Sequence, residues 1–93
     1  MEFDGSIIWK DVYPYKIEKH SDRDLIKASI QIYLNDNPFA DLSTKFLYND
    51  TIISPPYKAN SGYLTNNRAK LEHWMTTDIP KDFERYSLYV IWK

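Results

Sequence analysis

Two runs of strict alternation constrain this chain more than anything else in it. Ile26, Ala28, Ile30, Ile32 and Leu34 alternate with Lys27, Ser29, Gln31 and Tyr33. Near the end, Tyr86, Leu88, Val90 and Trp92 alternate with Ser87, Tyr89, Ile91 and Lys93. A period of two is the repeat of a pleated strand, whose successive side chains point to opposite faces. The second run is apolar on both faces, which predicts an inner strand. The first run also admits a helical reading, with Ser21 as cap and Leu25, Ala28, Ile32 and Tyr33 as its stripe. Three isoleucines weigh toward the strand.

Other segments follow by the same logic. Ile7, Ile8, Trp9 and Val12 predict a strand over residues 6–13, interrupted at Pro14. Residues 15–20 and 25–35 are expected to form an antiparallel hairpin. For residues 38–48 a capped helix (Asn37, Pro38, then Phe39, Leu42 and Phe46) competes with a strand from Leu42 to Tyr48, and the strand is favoured. Asn49-Asp50 reads as a turn before a short strand, Thr51-Ile52-Ile53. Two prolines and a glycine mark 54–62 as a loop. Leu71, Trp74 and Met75, after caps at Thr65-Asn66-Asn67, predict the main helix over about 66–77. The expected architecture is therefore α+β: an antiparallel sheet of four to five strands with that helix packed on one face, in a single domain spanning 1–93.

Composition bounds the function. Lys+Arg 12 against Asp+Glu 13 gives a net charge of -1, so no long-range field draws the chain toward nucleic acid or an anionic membrane. With no cysteine, disulfide and thiolate chemistry are excluded. No apolar run approaches the ~20 residues of a membrane span, and the N-terminal residues lack a secretory pattern, so a cytoplasmic location is expected. The sequon Asn49-Asp50-Thr51 then carries no meaning.

No catalytic constellation stands out. His20 and His73 have no ligand spacing, so no metal is expected. Asn35-Asp36-Asn37 lacks the glycine and terminal glutamate of a calcium loop. Asp22 and Asp24 straddle Arg23 in a turn, with no cleft implied. Two glycines cannot build a phosphate loop, and no nucleophile elbow occurs. Neither enzymatic activity nor a cofactor is expected.

The remaining feature is aromatic. The chain has Trp 3, Tyr 8 and Phe 4, more ring surface than a 93-residue core absorbs. Tyrosines dominate protein interfaces, so a tyrosine-rich sheet face and the 54–63 loop are expected to bind another protein. The candidate contact residues are Tyr57, Lys58, Tyr63, Tyr13, Tyr15 and Tyr33. By class analogy, small stand-alone domains of this kind serve as inhibitors, anti-defence factors or immunity proteins of phages and mobile elements, acting by steric occlusion. One alternative is single-stranded nucleic-acid or RNA binding through Trp9, Tyr15, Lys16 and Lys19. Another is a homodimeric structural protein paired at a sheet edge.

Overall fold

The computed structural model describes residues 2–13, 26–66, 72–75 and 77–93. Their strands are β1 (Phe3–Val12), β2 (Ala28–Tyr33), β3 (Lys45–Tyr48), β4 (Thr51–Ile53), β5 (Gly62–Asn66), β6 (Glu72–Trp74) and β7 (Glu84–Trp92). A large antiparallel sheet runs in the order β1-β7-β2-β5, and a small one in the order β4-β3-β6. The architecture is all-β, which corrects the α+β expectation: among the described residues there is no helix. The helix expected at 66–77 is contradicted where it is described. Glu72–Trp74 is a strand paired with β3 through Lys45↔Trp74 and Phe46↔His73. Residues 67–71 and 76 lie outside the described residues.

The strands at 28–33 and 84–92 follow the alternation, β1 extends the strand expected over 6–13 back to Phe3, and β7 is an inner strand, flanked by β1 and β2. β2 has β7 on one side and β5 on the other, so both its edges are occupied. The hairpin expected with 15–20 is therefore not what orders this strand, and residues 14–25 lie outside the described residues. The strand expected from Leu42 begins at Lys45. Leu42, Ser43 and Thr44 are buried but irregular. β3 and β4 form a tight hairpin through Asn49 and Asp50, whose φ angles of 48° and 60° supply the left-handed pair that a two-residue turn needs.

Cross-strand partners share a face, so the register assigns every side chain of the large sheet. Asp11, Arg85, Ser87, Tyr33, Gln31 and Tyr63 point to one side. That side meets the small sheet, where the Phe46 ring lies 4.8 Å from that of Tyr63. Beside it, Tyr33, Leu42, Tyr57, Met75 and Ile79 form the apolar core, with Ala40, Tyr63 and Phe83 packed around them. The described strands thus form two layers around this core. β5 lies so close to β2 that a Cβ on Gly62 would sit 1.8 Å from the Gln31 carbonyl oxygen. Only glycine fits there.

Candidate interaction surface

The large sheet has a second face, and it is apolar. Phe3, Ile8 and Val12 of β1, with Ser6 and Lys10 between them, lie on it opposite Trp92, Leu88 and Glu84 of β7, and Val90 lies opposite Ser6. Next come Ile32 and Ile30 of β2, and then Leu64 of β5. Phe3 and Trp92 stack edge to face at 6.2 Å. The flanking side chains are open to solvent: Phe3 is 63% exposed, Ile8 65% and Leu64 69%. The central ones, Ile30, Ile32, Leu88, Val90 and Trp92, are half-buried. All described strands belong to the two sheets, and the small sheet packs on the opposite side, so no described strand covers this face. Four strands about 4.8 Å apart and about six residues long span roughly 400 Å² in projection. That matches the largest apolar patch of an ordinary monomer, about 300–600 Å², which commonly marks an interaction site.

The inner face is polar where the sheets meet. Arg85 is fully buried; its Nη1 donates to Asp11 Oδ2 at 2.6 Å and its Nη2 to Thr44 Oγ1 at 3.3 Å. The Thr44 hydroxyl donates to Gln31 Oε1 at 3.3 Å, and Gln31 Nε2 donates to Ser87 Oγ at 3.1 Å. The Tyr63 hydroxyl also donates to Gln31 Oε1, while Tyr33 Oη accepts from the Thr44 amide at 2.9 Å. The Arg85 guanidinium lies 5.2 Å from the Tyr33 ring centre. Burial disfavours its charge, but Tyr33 and Asp11 outweigh burial and hold it above its ordinary pKa. An arginine keeps its charge in proteins, and the bonds through Thr44 tie the large sheet to the segment that enters β3.

A second cluster resembles a serine–lysine pair only in composition. Lys45 Nζ donates to Asp41 Oδ2 (2.6 Å), Ser43 Oγ (2.7 Å) and Ser54 Oγ (2.6 Å). Partial burial pushes the Asp41 pKa up, but the bonds from Lys45 and Ser43 prevail and hold it below the usual carboxylate value. The cluster ties the loop before β3 to the end of β4. Among the described residues no group of three His, Asp or Glu is placed to hold a metal ion. No described helix is long and apolar enough to cross a membrane.

The residues expected from the sequence to make contacts scatter. Tyr33 is fully buried and Tyr57 is 7% exposed, so neither offers its ring to a partner in this structure. Their rings pack on each other at 4.9 Å, nearly perpendicular. Tyr63 is half-buried against Phe46 and Tyr33. Burial raises the Tyr57 pKa to about 12 and raises that of Tyr63 further. Lys58 and Tyr13 are exposed, and Lys81 Nζ lies 5.5 Å from the Tyr13 ring centre. Tyr15, Lys16 and Lys19 lie outside the described residues, while Trp9 is 46% exposed on β1. The 54–63 loop thus turns its Tyr57 ring inward, and the open sheet face holds Tyr86 as its single described tyrosine.

Sequence reasoning missed the aliphatic face by following the rings. The signal was present in the even-numbered residues of both alternating runs, Ile30 and Ile32, Leu88 and Val90. They are as apolar as a core, and so is the face opposite at Tyr89 and Ile91. Among the described residues the large sheet has one other layer beside it, so one of its two apolar faces has no described strand over it. Comparison with protein-family models, with curated proteins and with solved structures returned no match.

Proposed function

We propose that this chain is a protein-binding module that acts by occluding a partner's surface, and that it binds through the open face of the large sheet. The observation that carries the reading is a pair of adjacent rows across the sheet, Ile8, Leu88 and Ile32 ending at Gly62, and Val90, Ile30 and Leu64, with Phe3 and Trp92 beside them. Burying these side chains is worth about 25 cal/mol per Å² of apolar surface removed from water. They form the dry centre that a protein interface needs, with Lys10, Glu84 and Asn66 at the rim. Inhibition of an enzyme or toxin by steric blockade fits a rigid face with no catalytic group in it.

The test is affinity capture from the source cells with the wild-type chain and with a Phe3→Ser, Leu64→Lys double variant. Both residues are solvent-exposed, so the variant folds, which circular dichroism checks. The expected result is a protein retained by the wild type and lost by the variant, with binding confirmed by calorimetry on the purified pair. Equal retention by both would reject the face as the contact. Retention that vanishes steeply with added salt would point to nucleic acid instead.

A further inference from the structure

The edge of the large sheet formed by β1 carries an independent conclusion. Edge strands are normally short, lysine-rich, proline-bearing or bulged, which blocks pairing with another chain. β1 is ten residues long, and its irregularity is confined to its start, between Phe3 and Gly5. Ile7, Ile8, Trp9 and Val12 are all exposed. Among the described residues no strand lies on its outer side.

The direction of its backbone groups follows from the ladder. The Leu34 amide donates to the Tyr86 carbonyl at 2.9 Å, so the Tyr86 backbone turns toward β2. Alternate residues of an antiparallel strand turn the same way, so Leu88 and Val90 also face β2, while Arg85, Ser87 and Tyr89 face β1. Their register partners Asp11, Trp9 and Ile7 bond inward to β7. Ser6, Ile8 and Lys10 therefore present their N–H and C=O groups outward.

We propose that a second copy of this chain pairs antiparallel with β1 across a two-fold axis at Ile8, joining two four-stranded sheets into one of eight strands. A dyad perpendicular to the sheet keeps like faces together, so only residues of matching parity meet. Centring it on Ile8 sets Ile8 against Ile8, Ile7 against Trp9 twice and Ser6 against Lys10 twice. About six backbone hydrogen bonds close, from Ile8, Ser6 and Lys10. Buried Asp11 falls opposite Gly5, which has no side chain to obstruct it. The aromatic–β-branched pairs are among the most favourable cross-strand pairs, and no like charges oppose. Centring on Ile7 sets Ser6 against Ile8 and leaves Trp9 facing Gly5. Centring on Trp9 sets Ile8 against Lys10 and Ile7 against Asp11, mismatching apolar with charged residues. The sequence of this edge selects itself in one register. Pairing also abuts the two open faces, raising the apolar area to roughly 800 Å², the share one partner contributes to a standard interface.

This inference stands without the partner-binding reading and is tested apart from it. Sedimentation equilibrium over a wide concentration range is expected to show the wild type doubling in mass. Ile8→Lys, which sets two ammonium groups face to face, is expected to stay monomeric, and Leu64→Lys, on the far edge, to dimerise as the wild type does. The chain has no cysteine, so single introduced thiols report the register. Ile8→Cys is expected to cross-link under mild oxidation far more completely than Ile7→Cys. A wild type that stays monomeric at every concentration, or a cross-link at Ile7 that outpaces the one at Ile8, would overturn the dyad and leave the open face untouched as a partner site.

Discussion

Arg85 and Asp11 lie 74 positions apart in sequence, and their ion pair is closed off from water, with side chains 1% and 3% exposed. Removing one partner strands the other charge in a medium that solvates it poorly. Asp11→Ala is therefore expected to cost about 3–5 kcal/mol, whereas an Asp11→Ala, Arg85→Met double variant regains most of that loss because no uncompensated charge remains. Urea midpoints of the three proteins measure the difference. Arg85 Nε has no hydrogen-bond partner among the described residues, which fits a guanidinium held for its Nη contacts and its packing on Tyr33. Tyr57 obeys a different rule. Tyr57→Ala removes a ring from the core and is expected to cost about 3–5 kcal/mol. Tyr57→Phe forfeits only the 3.4 Å bond from the hydroxyl to Asn35 Oδ1, about 1 kcal/mol or less. Alkaline pH exposes the same burial. The Tyr57 phenol ionises near 10 in the unfolded chain and at about 12 in the folded one. Between those values the unfolded state releases a proton that the folded state keeps, so stability is intact below pH 10 and falls as pH rises toward 12. Tyr57→Phe is expected to make that decline shallower in denaturation curves taken across this range, with the remainder coming from Tyr63, whose burial raises its pKa further.

At the scale of the element, the legible parts were those whose pattern is local. β2 and β7 alternate over enough residues to declare a period, β1 shows itself by the cluster Ile7, Ile8, Trp9 and Val12, and the Asn49-Asp50 turn declares its own backbone. β6 did not declare itself. Leu71, Trp74 and Met75 suit a helical stripe, but His73 and Met75 are buried while Glu72 is exposed, a period of two too short to read. Its strand state comes from pairing with β3, nearly thirty residues earlier, and such tertiary pairing overrides local propensity. The open apolar face was not the one expected, which was rich in tyrosine. Excess apolar surface was visible, but its location was not, because which rings go inside depends on a two-layer packing that no single segment encodes. β5 shows the converse, a single residue that decides an element. Gly62→Ala forces a methyl into the Gln31 carbonyl, and the strand must move off β2 or lose its register. A loss of about 1–3 kcal/mol is expected from such overpacking. Hydrogen exchange is expected to speed up first at the Ser29, Gln31 and Tyr63 amides, which turn toward the β2–β5 seam, and an unchanged exchange pattern would contradict the close approach.

For the whole molecule, the arrangement that matters is the placement of β7. The earliest strand, β1, and the second, β2, both pair with this last one, Phe3 with Trp92 and Tyr33 with Ser87. Such non-local pairing places the chain among domains that fold in milliseconds to seconds, which stopped-flow refolding would show. A chain cut after residue 83 is expected to give no cooperative unfolding transition. During synthesis, then, the sticky ribbon of isoleucines and tryptophan near the N-terminus waits, unmatched, while about eighty further residues are translated. Whatever cell makes this protein has to shepherd that orphan segment, and chaperone supply should limit its yield more than its finished stability does.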